Sequence, residues 1–271
     1  MTAQPITGAA AAPRPADRPL AGLGALVRKD ATEWIRGRRA WVIAILTTAF
    51  MVLTAANGWI TAWVIANLPD GAAAPDPASL VPLDNLLAAV GAQIWVLAAI
   101  FAVGSLVVVE RQSGTLSWVA SKPVSRSAIW VSKLATSVGM LAVSAVIVPT
   151  IVTVVAVVVL YGAPSPLMVA GLVLGMIAVT AFFAAVGLAA GTFLPGQPAV
   201  IAAGFGAFAV IPVLVGVLPF DVAAFMPTSM LTWTAALLTG GPASIVTPVA
   251  FAIEMAAVIA IGLNRMARLE L

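Results

Sequence analysis

Hydrophobic residues in this chain come in long runs, and the polar residues gather at the joints between them. Six apolar segments stand out, at about 40–67, 85–109, 129–161, 167–193, 198–218 and 246–264. About 20 residues at ~1.5 Å each cross ~30 Å of hydrocarbon, so the pattern predicts six membrane-spanning helices. The alternating ten-residue segments of a membrane β-barrel are absent. The third segment is long enough to be tilted or kinked, with Pro149 inside it, and Pro212 lies inside the fifth.

The segments between the runs have patterns of their own. Residues 1–19 are small, Pro-rich and aperiodic, and read as a disordered tail; they lack the charged start and apolar core of a cleavable leader. In 20–38, Leu23, Leu26, Val27, Ala31, Trp34 and Ile35 recur at helical spacing, while Arg28, Lys29, Asp30, Glu33 and Arg36 fill much of the rest. A basic amphipathic helix of this kind lies in the membrane interface against lipid; the plainer alternative is a cytoplasmic extension of the first span. Between the fifth and sixth runs, the sequence after Asp221 is uncharged but broken by Pro227 and Gly240-Gly241-Pro242. It predicts a re-entrant or interfacial helical piece on the outer side.

Composition narrows the class further. The 271 residues are 62% hydrophobic and 8% charged, against about a quarter charged in a soluble domain. The fold class expected is therefore an all-α polytopic membrane protein. With the N-terminus placed inside, all thirteen Lys/Arg fall on the cytoplasmic side and the outer segments hold only Asp70, Asp76, Asp84 and Asp221. That complete positive-inside bias predicts both termini in the cytoplasm, with Trp41 anchoring the inner edge of span one and Trp59 and Trp63 its outer edge. The basic balance thus reflects topology and does not point to nucleic acid. Neither Cys nor His occurs, which excludes disulfides, thiol nucleophiles and histidine-based metal or catalytic sites. No paired-carboxylate site can be assembled, and no catalytic role is expected for this chain.

One polar stretch is longer and more patterned than solubility requires: ERQSGTLSWVASKPVSRSAIWVSK, residues 110–133. Gly114 can end the preceding helix. Thr115 can cap a short helix in which Leu116, Val119 and Ala120 share a face. Pro123 stops it, and Ser125 can cap the helix of the third span. A short helix held between two spans makes a rigid knob able to dock in a soluble partner. The same features also suit a membrane-hugging loop that offers basic residues to anionic lipid.

This segment resembles the signature region of the type-2 permeases of the ATP-binding-cassette (ABC) transporters. The pattern is an acid ending span two (Glu110), Gly114-Thr115, an apolar helix from Leu116 to Ser121, Pro123, Arg126, and Lys133 opening span three. The stretch Val27-Arg28-Lys29-Asp30, with Trp34, Arg36, Arg38 and Arg39 nearby, is similar to the family's interfacial elbow helix. The resemblance covers residues 20–271 and implies a six-span permease domain with a coupling loop at 110–128. Trp118 and Lys122 depart from the small or aliphatic residues expected there. The resemblance implies a plasma-membrane subunit, an exporter by preference, paired with a second permease subunit and driven by a cytoplasmic ABC ATPase that holds the ATP and Mg. Independently, the chain has no G-x-x-x-x-G-K-[ST] loop; its three lysines follow Arg28, Ser121 and Ser132. No cofactor is expected on this chain.

Two further features fall inside the spans. Glu254 lies about 16 Å along the helix from Arg265, and an intramembrane carboxylate is costly unless partnered. Gln93, at a similar depth in span two, is its candidate partner; the pair reads either as a substrate or proton site or as interhelical glue. Gly171-x-x-x-Gly175 and Gly187-x-x-x-Gly191 allow close helix approach, within the bundle or between subunits. The alternatives to an ABC permease are an ATP-independent transporter or channel using Glu254, and a non-transporting anchor relaying ATPase motion.

Overall fold

The computed structural model describes residues 20–68, 75–77, 94–217 and 224–269. The expectations for residues 1–19, Asp70, Asp84, Gln93 and Asp221 lie outside the described residues. Within them every regular element is helical. Helix α1 (Leu23–Arg36) is followed by α2 (Arg39–Ala55) and α3 (Asn57–Ala66). Next come α4 (Ile94–Gln112), the short α5 (Thr115–Ala120) and α6 (Arg126–Leu141), which runs through a π-helical turn (Ala142–Ile147) into α7 (Val148–Tyr161). Helices α8 (Pro166–Phe193) and α9 (Gln197–Val217) precede a 3-10 turn (Pro227–Ser229), α10 (Met230–Thr239) and α11 (Val246–Ala267).

Three helices are long and apolar enough to cross a membrane: the continuous 126–161 rod, α8 and α11. A fourth follows if α1 and α2, bent by 59° at their junction, count as one broken span. This is a helical membrane protein. The long third span predicted from sequence is the 126–161 rod, and its irregularity has a local cause. Pro149 has no N–H to donate back along the helix, and the π-helical turn immediately before it absorbs the mismatch. Ser144 and Thr153 each donate to the carbonyl one turn earlier, at Met140 and Pro149.

Helix α8 is the centre of the bundle, with α4, α6, α10 and α11 packed round it. The glycines predicted for close packing explain two of these contacts. A Cβ on Gly171 would stand 2.7 Å from Ala235 Cα, and one on Gly175 2.7 Å from Leu231 Cα, both on α10. A Cβ on Gly191 would stand 2.7 Å from the Gly104 carbonyl of α4, and Gly187 lies against Gly104 too. These small-residue faces are therefore closed by helices of the same chain. In lipid, where burial of apolar area gives little drive between helices, such van der Waals contact is what holds them. Helix α10 is the piece predicted between the last two spans. It lies beside the first turns of α8, and Gly240, at φ 75°, ends it in a conformation that suits glycine.

Candidate functional site

The site is built where the 110–133 segment meets α1. In α1 the residues Leu26, Asp30 and Trp34 are four apart and all buried, so an aspartate occupies the middle of the packed face. Opposite it stands Lys133, only 4% exposed, on the second turn of α6. Its Nζ lies 2.6 Å from Glu110 Oε1 and 3.9 Å from Asp30 Oδ1. Lys29 Nζ lies 3.1 Å from Glu33 Oε1, 3.4 Å from Asp30 Oδ1 and 3.7 Å from Glu110 Oε1. Ser132 Oγ donates to the other Asp30 oxygen at 2.9 Å. Five charges on three helices thus form one connected network. Burial by itself would depress Lys29; its hydrogen bond to Glu33 and the carboxylates of Asp30 and Glu110 outweigh that, and its pKa is raised.

A cavity of about 250 Å³ opens beside this network, walled by Trp34, Leu106, Arg39, Thr136 and Ser137 along with the carboxylates. The Asp30, Glu33 and Glu110 oxygens lie within 4.8 Å of one another, close enough for a metal ion by distance alone. The two ammonium groups already stand among them, so the cluster holds lysine where a metal would sit.

The rest of the segment is tied just as closely. Arg111, one residue beyond Glu110, donates through Nη2 to the carbonyl of Leu194 at the C-terminal end of α8. Arg126 Nη1 donates to the carbonyls of Ala267 at 2.8 Å and Leu269 at 2.7 Å, at the C-terminal end of α11. Both guanidiniums therefore meet the negative end of a helix dipole, where a cation is favoured. The segment between α4 and α6 touches α1, α8 and α11 through charged bonds.

Helix α5 forms as the pattern predicts, with changes of detail. Gly114, at φ 73°, takes the cap position, and no side chain caps the helix there; Thr115 instead pairs with Ser113 at 2.9 Å between hydroxyls. Leu116 and Val119 do share a face, and it is buried against the bundle. What the helix presents outward is Trp118, 62% exposed, with Lys122 Nζ stacked 4.7 Å from its ring centre. Past Pro123, Ser125 caps α6 by accepting from the Ala128 N–H. Arg28 and Arg36 are on α1, away from the network's buried core, and border an open groove along that helix.

Glu254 lies on α11, outside this network, in the wall of a separate cavity. Its Oε2 is buried without a hydrogen-bond partner among the described residues. The sequence pattern singled out Glu110, Lys133 and Lys29; it placed Asp30 among the polar residues of the 20–38 helix and in its elbow stretch, whereas the structure buries it on the packed face, and it gave Ser132 and Arg111 no role. Asp30 was readable: it stands four residues after Leu26 and four before Trp34, on the apolar stripe itself. Comparison with protein-family models and with curated protein sequences returned no match.

Proposed function

We propose that this chain is the membrane subunit of a type-2 ABC transporter: six spans, both termini in the cytoplasm of a plasma-membrane assembly, and a separate ATPase gripping the 110–133 segment. One observation carries the reading. The Lys133–Glu110–Asp30–Lys29 network, with Arg111 and Arg126, binds the short α5 to α1 and to the ends of α8 and α11, so a displacement of α5 moves all of them. A loop that only skirted the membrane would need no such bracing. In this mechanism ATP binding and hydrolysis, with Mg, occur on the partner and close a pair of ATPase subunits. The pull passes through Trp118 on the outward face of α5, and Lys122 stacked on it, to two permease subunits, and the path between them reopens on one side, in the direction of export.

The absence of cysteine makes the test clean. Ser121→Cys places the sole thiol of the chain beside α5. The expected result is a cross-link from that thiol to a co-purifying, ATP-hydrolysing subunit, with loss of the cross-link when Trp118 becomes Ala. Vesicles holding this chain alone that move solute without nucleotide would overturn the reading, as would labelling of the introduced thiol from outside intact cells. A second reading has one observation in its favour: the unpartnered Glu254 carboxylate suits an ion-coupled transporter that needs no ATPase, and it predicts that vesicle result.

A further inference from the structure

Helix α11 is the least enclosed of the three unbroken candidate spans: 11% of its most apolar window is buried, against 39% for the 126–161 rod and 56% for α8. Along one side of it, Val246, Val249, Ala250, Ile253 and Glu254 repeat at three and four residues and line a cavity of about 380 Å³, with Phe225 standing across from them. Everything in that wall is apolar except one carboxyl group. The volume lies within the range of about 300–1,000 Å³ usual for small-molecule sites.

The charge inventory shows what is missing. The nearest cation along α11 is Arg265, about 16 Å further on by helix rise, and it is held over the Phe193 ring, 5.3 Å from its centre. Lys29 and Lys133 belong to the network beside α1. No described side chain supplies Glu254 with an ion partner or a hydrogen bond at Oε2. A carboxylate in hydrocarbon needs a counter-charge, and the apolar walls favour whatever brings that charge on an apolar body.

We propose that this cavity binds a lipophilic organic cation, of the quaternary ammonium or phosphonium class, with its charge against Glu254 and its apolar groups against Val249, Ile253 and Phe225. Other ligand classes fit the walls less well. A metal ion would find one carboxylate where about six oxygens are needed. A sugar or peptide would leave its polar groups without partners. An anion of the same shape would meet Glu254 directly. The inference names a substrate class for the transport function proposed above and rests on that reading for its physiological meaning, whereas binding itself is a property of the chain.

The test is equilibrium binding of tetraphenylphosphonium to the full chain in lipid nanodiscs, without any ATPase. Saturable binding is expected, weakened roughly thirtyfold or more in Glu254→Gln, with no saturable binding of tetraphenylborate, the anion of matching shape. Ala250→Phe, which fills the cavity and leaves the carboxylate, should abolish binding as well. Equal tetraphenylphosphonium binding by wild type and Glu254→Gln would mean partition into lipid only and would overturn the proposal. If Glu254→Gln abolishes binding but the chain with its ATPase moves no cation on ATP addition, the site stands and the transporter reading falls. If ATP-driven transport of tetraphenylphosphonium survives Glu254→Gln, the site falls and that reading stands.

Discussion

Glu110 and Glu254 are the same residue type in the same apolar chain, and their surroundings could hardly differ more. Glu110 has Lys133 at 2.6 Å and Lys29 at 3.7 Å, on helices that are braced to one another. Glu254 has an apolar cavity and no ion partner among the described residues. Taking a charge out of water costs several kcal/mol, and pairing inside the protein offsets that only when the geometry is good. At Glu110 the offset is built into the fold, so its pairing is structural. At Glu254 nothing in the described structure provides it, so the group is left available to a ligand. The comparison separates a carboxylate that holds the molecule together from one that the fold leaves unspent.

The sharpest way to break this contrast is to make one substitution at both places. Glu110→Gln leaves the Lys133 ammonium buried with only Asp30 at 3.9 Å, and a loss of about 3–5 kcal/mol is expected, read as a large fall in the unfolding temperature in detergent. Glu254→Gln should cost no stability. If both variants melt alike, the distinction fails. The double variant Glu110→Gln with Lys133→Met should recover part of the loss, because it removes both charges together.

Next in size is the packing of α10 against α8. Gly175→Ala drives a Cβ to within 2.7 Å of the α10 backbone and should cost about 1–3 kcal/mol. Gly24→Ala in α1 meets nothing within 4 Å and should gain about 0.5–1 kcal/mol from helix propensity. Thermal unfolding of the pair measures whether α10 is docked as tightly as the glycines imply.

Arg126→Ala removes the bonds that hold residues 267–269 and should cost about 1 kcal/mol. Faster hydrogen exchange at the C-terminal turn of α11, with α8 unchanged, is the expected sign. Smallest of all is the pH response of Lys29. Its pKa is raised in the folded protein, so its contribution is fully present below the ordinary lysine value of about 10.4 and lost only as pH rises through the raised one. The Lys29→Met variant should therefore differ from wild type by the same amount at every pH from 7 to about 10. A difference that shrinks below pH 10 would show that the carboxylates do not hold this ammonium.

Much of the charged junction was legible in the chain. Glu110, Gly114, Ser125 and Lys133 sit at the ends of apolar runs, where a polar residue has to serve either as a cap or as an interface group, and Ser125 proved to be a cap. The partners were harder to read. That Arg126 turns back to the end of α11, and Arg111 to the end of α8, depends on helices more than 80 residues away in sequence meeting at one level. The α5 helix shows the same division. Its apolar face was readable, but whether that face would point to a partner or to the bundle was not; it points to the bundle, and Trp118 is left outside.

Sequence by itself determined that this is a helical membrane protein, because long runs without charge leave the backbone no way to satisfy its hydrogen bonds except within helices. It also determined where most of the polar joints fall, since nearly all of the charge lies between or at the ends of the runs, with Glu254 the exception deep inside one. Only the tertiary structure decided which charges meet. Ion pairing depends on distances of a few ångströms between side chains far apart in the chain, and those distances follow from how the glycine-faced α8 gathers the other helices around it.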